Sequence, residues 1–303
     1  MEINDFLALL GDFQSHTKLS SLTTLKVGGY CRGVFQPDSW EHLAEAINYL
    51  KKQGIAYKIF GKGSNILCSE DYYEGVIIKL DSYLTRIARE GRVIIADAGF
   101  SITNLANQCA TMGLSGLQFA GGIPGSVGGV VCMNAGAYRH EISEIVNRIL
   151  ILDENQQLRW LHYHECEFSY RSSIFQRKPW IILRAELIFE PLSSKHIFEI
   201  MKTRKEARVA TQPLDLPSAG SCFKNTADQA AWQLIDSVGL RGHRIGGACI
   251  SPKHANFIVN DQGASADDIM NLITLVKKEV KKHCNVDLEL EMELFNWYEE
   301  KTR

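Results

Sequence analysis

The chain has no Cys-x-x-Cys pair. Its eight cysteines stand singly along the sequence, which leaves zinc-ribbon and thioredoxin-like readings without support. Lone thiols between apolar neighbours read as reduced core cysteines of a cytoplasmic protein. A surplus of charge is also missing. The net charge is −2, so neither a nucleic acid nor an anionic membrane is expected as a partner. No apolar run approaches the ~20 residues of a membrane span. The opening MEINDFLALLGDF is acidic and its apolar run is short, unlike a signal peptide. There is no internal repeat and no low-complexity segment. Neither Gly-x-Gly-x-x-Gly nor Gly-x-x-x-x-Gly-Lys-Ser/Thr occurs, which excludes the usual Rossmann and P-loop fingerprints. What remains is ordinary for a soluble globular enzyme: 303 residues, 45% apolar and 22% charged. Two or three domains fit that length.

Periodicity places a short amphipathic helix before Gly11 and a helix over 40–53 with Leu43, Ala46, Ile47 and Leu50 on one face. LTTLKVGGYCRGVFQP reads as a strand interrupted at Gly28–Gly29. IAYKIF, GVIIKL and RVIIADAG read as further strands, and 101–112 as a helix. IVNRILILD and QLRWLHY make a hairpin, and WIILRAELIFEP is another strand. Near residue 192 the pattern turns helix-rich. Helices follow from Ser193 or Ser194 through Arg208, at 228–238 and at 265–283, the last opened by Ser265 and Asp268 as a capping pair. Strands flank SPKHANFIVN, and DLELEMELF closes the chain as a strand. The fold class is α+β with mixed sheets.

Glycine is concentrated in two places. GGIPGSVGGVVCMNAGAY, residues 121–138, has six glycines in eighteen positions and no charged side chain. Its apolar residues Ile123, Val127, Val130, Val131, Cys132 and Met133 argue for burial rather than for a flexible linker. GKGSN at 61–65 follows directly on a strand. Each cluster alone reads equally well as a tight turn. Together they favour a ligand with two phosphates, held by main-chain amides.

Three groups stand out for chemistry. Arg171 in FSYRSS is either a surface arginine or a two-pronged grip on a carboxylate. Ser221 in SAGSCFKN is either a turn serine or an accessible hydroxyl beside Gly220, with Cys222 as a stronger acid next door. Glu289, Glu291 and Glu293 alternate along DLELEMELF, and spacing does not choose among them. Lys253, His254 and Asn256 could bind a diphosphate or order the site, and Arg208 and Lys224 could reach phosphate. His162 and His164 would point the same way on a strand, which suits a metal, but no third ligand is in sight and none is assigned.

GKGSNIL, GLQFAGGIPGSVGGVVCMNAGAY, FSYRSSIF, TQPLDLPSAGSCFKN and SPKHANFIVN, in that order over about residues 20–295, closely resemble the UDP-N-acetylenolpyruvoylglucosamine reductases. The length resembles the shorter subclass, which lacks an inserted loop over the substrate. The resemblance implies a two-lobed, vanillyl-alcohol-oxidase-like FAD-binding unit at 1–192, with lobes of roughly 1–80 and 81–192. A C-terminal α/β substrate-binding domain at 193–303 follows.

It further implies NADPH-dependent reduction, through FAD, of UDP-N-acetyl-3-O-(1-carboxyvinyl)glucosamine to UDP-N-acetylmuramate for peptidoglycan. A hydride adds to the vinyl carbon and charge spreads into the carboxylate. Arg171 would stabilise that charge, Ser221 would deliver the proton, and Glu291 would be the catalytic glutamate of the last segment. Gly61, Lys62, Gly63, Ser64, Asn65, Gly122, Ile123, Pro124, Gly125, Ser126, Gly128 and Gly129 would hold FAD. Tyr170, Lys224, Asn225 and Lys253 would contact the UDP-sugar. A monomer acting on small molecules alone is expected. Arg139, His140, Thr226 and Leu290 depart from the family pattern, Arg139 by setting a charge near the expected flavin site where it could meet a phosphate. Two rival readings are an FAD-dependent oxidase of a carbohydrate or alcohol and a nucleotide-sugar binding protein without redox activity.

Overall fold

The structure is a computed structural model and describes residues 2–297. The chain condenses into two compact units that do not follow it in order. The first takes the residues up to Ser15, then Gly33–Lys62 and Gly75–Ala207. The second takes His16–Arg32, Gly63–Glu74 and the chain from Arg208 onward. The change in sequence character near 192 coincides with the start of helix Ser194–Thr211, whereas the unit border falls inside that helix, after Ala207. Composition marks where elements change type, while compactness follows which of them bury one another's apolar faces.

The first unit holds an antiparallel five-stranded sheet in the order Leu158–His162, Val146–Leu152, Ile181–Ile188, Val93–Asp97, Ile87–Glu90. The expected hairpin is present, with Arg148 opposite His162 and Leu152 opposite Leu158. The central strand Ile181–Ile188 is buried along most of its length, and helix Val127–Cys132 packs on it. A second sheet orders Gly11–Lys18, Tyr30–Pro37, Tyr73–Lys79 and Tyr57–Phe60, with the last pair parallel. Helix Trp40–Lys52 buries Leu43, Ala46, Ile47 and Leu50 in the same core as Phe35, Val76 and Ile78. Ser39 caps it by accepting from His42 N at 3.2 Å.

The second unit holds an antiparallel sheet in the order Ser218–Ser221, Phe257–Asn260, Ala248–Ile250, Arg244–Ile245. Helix Ala266–Cys284 packs on the last two strands through its single apolar face of Ile269, Leu272, Ile273, Val276 and Val280. Its Ser265–Asp268 capping box is formed, and Asn285 ends it in the left-handed region.

Four segments differ from the sequence reading. Gly11–Lys18, to which periodicity assigns no element after the first helix, is a strand. Residues 22–29 are not a strand: Leu25 and Val27 are buried, but Lys26 at φ +61° and Gly28 at φ +121° break the extended path. The quoted glycine run contains a helix, Val127–Cys132, started by the Ser126 side chain. DLELEMELF is not one strand. Leu290 bridges Phe223, and only Glu293–Phe295 is a strand, parallel to Ile66–Cys68. The backbone changes partners on the way, with Glu291 N donating to Cys222 O at 2.9 Å and Glu293 N to Asn65 O at 2.9 Å. Alternating side chains do not reveal such a change of partner.

Candidate active site

In the first unit the two glycine clusters meet. A Cβ on Gly61 would lie 2.6 Å from Ser126 Oγ, so only glycine fits there without a shift. Gly128 also approaches Ala98 closely: its amide donates to Ala98 O at 2.8 Å, and a Cβ would lie 2.9 Å from that of Ala98. Val127, Val130 and Val131 are buried and anchor the run, while Gly122, Pro124 and Gly129 are exposed. Hydrophobic anchors thus hold a strip of bare backbone at the surface of the unit.

The amides divide into two sets. Ile123 donates to Ala120 O, Val127 to Phe100 O, Gly128 to Ala98 O, and Gly129 to Ser126 Oγ, so these four are committed within the protein. Among the described residues, the amides of Gly61, Lys62, Gly121, Gly122, Gly125 and Ser126 have no acceptor in the protein. Main-chain donors of that kind suit the oxygens of a diphosphate. Lys62 is already paired with a carboxylate of the protein. Its ammonium sits 3.0 Å from Asp81, which Lys79 shares at 3.3 Å. Burial, opposed by Asp81, lowers the Lys79 pKa, and Lys79 donates to Gly61 O at 2.9 Å.

The remainder of GKGSN belongs to the second unit, where it is equally constrained. Gly63 lies at φ +62°, and a Cβ on it would meet Leu22 O at 2.1 Å and Thr23 Cα at 2.8 Å. The Thr23 hydroxyl is buried and has no partner among the described residues. Neither do the amides of Gly63, Ser64 and Asn65 have an acceptor there. An orphaned hydroxyl beside uncommitted amides fits a phosphate-bearing cofactor such as FAD.

Arg171 is not a solvated surface arginine. Ser169 and Ser172 close a two-residue turn with Tyr170 and Arg171 at its tip, and Arg171 lies at φ +54°. Its side chain is only 14% exposed. Nη2 donates to Gly136 O at 2.8 Å, and Nη1 lies 3.3 Å from Glu141 Oε1 and 3.5 Å from Asn134 O. The guanidinium also covers the exposed Tyr170 ring, at 4.9 Å from its centroid. The carbonyls that receive it belong to NAGAY, the tail of the glycine run.

In the second unit Ser221 ends strand Ser218–Ser221, after Gly220 at φ +76°. The register shifts between Ser218 and Ser221, and nothing would crowd a Cβ on Gly220, so the positive φ alone calls for glycine. Cys222 points inward instead. It is 2% exposed, and burial, with a smaller contribution from Glu291, pushes its thiol up to about 12. Such a thiol is a much weaker acid than free cysteine. Glu291 is tied to the same stretch of backbone through Cys222 O, and Asn65 Nδ2 donates to Glu291 O at 2.9 Å. Ser221, Cys222, Glu291 and Asn65 are therefore linked through adjacent main chain within this unit.

The other candidates have mixed positions. Lys224 sits 3.4 Å from Glu289. Asn225 Oδ1 accepts from Ala231 N at 3.0 Å and so supports the start of helix Ala231–Ser237. Lys253 Nζ donates to Val209 O at 2.5 Å. Both ends of the Asn256 amide clasp the Phe223 main chain, which makes it a structural tie. Burial, followed by Arg241, lowers the His254 pKa. His162 ends a strand and His164 lies in the next short turn, with stacked rings 6.1 Å apart. Among the described residues no cluster of metal-ligating side chains occurs, and no helix is long and apolar enough to cross a membrane.

The departures from the family pattern are absorbed locally. Tyr138 and Arg139, at φ +57° and +63°, form the tip of a tight hairpin between Gly136–Ala137 and His140–Glu141. Thr226 Oγ1 closes its own turn by accepting from Gln229 N at 3.0 Å. Sequence reasoning missed Glu141 and Asn134. The available signal was a chemical requirement: a shielded guanidinium needs a counter-charge nearby.

Comparisons with known proteins identify the family. A model described as "FAD binding domain" matches residues 31–161. One for the C-terminal domain of UDP-N-acetylenolpyruvoylglucosamine reductase matches 212–295. The reductase of that name from Bacillus subtilis is 39% identical over 286 residues, covering 94% of each chain. The one from Caldanaerobacter subterraneus is 42% identical over 272 residues, covering 90% of each. The crystal structure of the reductase from Thermus caldophilus superposes with a TM-score of 0.81 at 31% identity, over 94% of this chain and 100% of that one. A berberine bridge enzyme variant, 12% identical with a TM-score of 0.50 over 64% of this chain and 44% of its own, bears on the fold alone. That likeness agrees with the oxidase-like α+β class expected from the sequence. The chain belongs to the UDP-N-acetylenolpyruvoylglucosamine reductase family.

Proposed function

We propose that this FAD-dependent oxidoreductase reduces UDP-N-acetyl-3-O-(1-carboxyvinyl)glucosamine to UDP-N-acetylmuramate, a step in making the peptidoglycan precursor, with NADPH as electron donor. Residues 1–192 carry the cofactor site, and 193–303, joined by Tyr170 and Arg171, serve the UDP-sugar. The glycine-rich amides of 61–65 and 121–129 hold the diphosphate of FAD. When bound, FAD supplies the hydride, taken from NADPH, to the vinyl carbon.

The residues of the chain manage the charge and the proton. Hydride addition leaves negative charge spread into the substrate carboxylate, and Arg171 stabilises it with a planar, permanently charged fork. Ser221 donates the proton that completes the reduced carbon. An alkyl hydroxyl is a poor acid, so Ser221 needs neighbours that favour the transfer. Glu291, tied to the Cys222 main chain, is the candidate for that help. Tyr170, Lys224, Asn225 and Lys253 contact the nucleotide-sugar.

The placement of Arg171 carries this reading. A guanidinium 14% exposed, held by Gly136 O at 2.8 Å and Glu141 at 3.3 Å, offers a substrate carboxylate a charge of fixed position rather than a mobile one. The test is anaerobic. The yellow holoenzyme should bleach with NADPH and regain its colour when the enolpyruvyl substrate is added. Bleaching without return of colour would refute the substrate. Rapid return with O₂ alone, and none with the enolpyruvyl sugar, would point to an oxidase.

A further inference from the structure

Arg171 lies at the tip of a two-residue turn, with its guanidinium over the neighbouring Tyr170 ring. The fixing groups come from 134–141. Glu141 uses its two oxygens for different partners: Oε1 lies 3.3 Å from Arg171 Nη1, and Oε2 accepts from Asn134 Nδ2 at 2.8 Å. Asn134 is 1% exposed and lies at φ +41°. Its Oδ1 accepts from Ser143 N at 3.2 Å, and its Nδ2 donates again to Ser169 O at 2.8 Å. One buried amide thus links the end of the glycine run, the segment after Glu141 and the turn that carries Arg171. Glu141 itself is held by its main chain, whose amide donates to Glu144 Oε1 at 2.9 Å.

We propose that Glu141, oriented by Asn134, is a positioning residue that sets the plane of the Arg171 guanidinium for the substrate carboxylate. The inference rests on the role given to Arg171 above. Two features separate positioning from plain structural support. The Arg171 and Glu141 side chains are 14% and 27% exposed, so their attraction is less screened than that of a surface pair. The Glu141 carboxylate also orders the donors before charge develops, and a donor already in place needs no reorganisation during reaction. Loss of Glu141 should therefore act on the step in which substrate charge develops, not on cofactor binding or on reduction by NADPH.

The experiment compares the wild-type holoenzyme with Glu141→Gln and Glu141→Ala in the two half-reactions. Glu141→Gln is nearly isosteric and guards against a folding defect in the alanine variant. Both should keep FAD and bleach with NADPH at the wild-type rate. Return of colour with saturating enolpyruvyl substrate should slow about a hundredfold, the usual cost of a misplaced catalytic group. The alanine variant should be at least as slow as the glutamine variant. Wild-type return rates in both variants would overturn the proposal. So would equal slowing of both half-reactions, or loss of FAD from Glu141→Gln, since either would mark a structural role. If the wild-type enzyme itself regained no colour with this substrate, the functional reading would fall and the role of Glu141 with it.

Discussion

Gly61 stands so close to Ser126 that a methyl group on it would lie 2.6 Å from the serine hydroxyl oxygen. The contact joins two loops 65 residues apart in sequence that the glycine pattern assigned to one ligand. Ser126 has a task of its own, since its hydroxyl accepts from Gly129 N and starts helix Val127–Cys132. A side chain on Gly61 would push on the residue that organises the neighbouring amides.

Gly61→Ala should therefore weaken FAD binding. Overpacking of this kind costs about 1–3 kcal/mol, or very roughly ten- to a hundredfold in affinity if the strain falls on the holo form. Flavin fluorescence during titration of the apoprotein measures it. Adding Ser126→Ala removes the atom that is struck, so the double variant should bind FAD better than additivity of the two single changes allows. Strict additivity would mean that the loops do not act on each other through this contact.

Ser221→Ala should leave bleaching by NADPH nearly intact and slow the return of colour with substrate severely. Cys222→Ala should slow it little, because the thiol is 2% exposed and pushed up to about 12. Stopped-flow absorbance in each direction separates the two residues. Similar slowing in both half-reactions of Ser221→Ala, or a larger effect from Cys222, would transfer the proton to another donor.

Arg171→Lys keeps the positive charge and loses the planar fork. The ammonium cannot meet Gly136 O and Glu141 in the geometry that the guanidinium uses at 2.8 and 3.3 Å. Turnover at saturating substrate should fall by about two orders of magnitude, the range for loss of one donor to a developing oxyanion. Steady-state kinetics decides the matter, and near-wild-type kcat would exclude a fork-specific contact.

Helix Trp40–Lys52 and helix Ala266–Cys284 were legible because apolar spacing and capping residues agree in both. The approach of Gly61 to the 121–129 loop was legible in outline, because two glycine clusters in one chain point to backbone packed closely against something. The helix inside the glycine run was not, because Gly128 and Gly129 are poor helix formers, and tertiary packing of Val127, Val130 and Val131 decides the matter. The end of the chain misled for a different reason. Alternation in DLELEMELF survives as a pattern of burial, but its backbone pairs first with Cys222–Lys224 and then with Asn65 and Ile66–Cys68. Which partner a strand takes depends on residues far away in sequence. The same limit hid Glu141, whose partner Arg171 lies 30 residues on.

Asp268 allows a test of the second unit that needs no cofactor. Its carboxylate accepts from Ser265 N at 3.0 Å and from Gly247 N at 3.2 Å. The Ser265 bond, ahead of the others, holds its pKa below the ordinary 3.8. A carboxyl lowered in the folded state adds stability above its unfolded pKa, and that stability is lost as pH falls through the folded value. Asp268→Asn should thus be less stable than wild type at pH 7 by about 1 kcal/mol, the usual worth of a capping interaction. The gap should close as pH falls from above the ordinary 3.8 to below the lowered folded value. Ser265→Ala removes an acceptor from Asp268 N at 3.1 Å and titrates nothing itself, so its deficit should change less over the same range. Urea midpoints along the pH series measure both variants. A deficit for Asp268→Asn that stayed constant into acid would mean that the Asp268 charge contributes nothing to the cap.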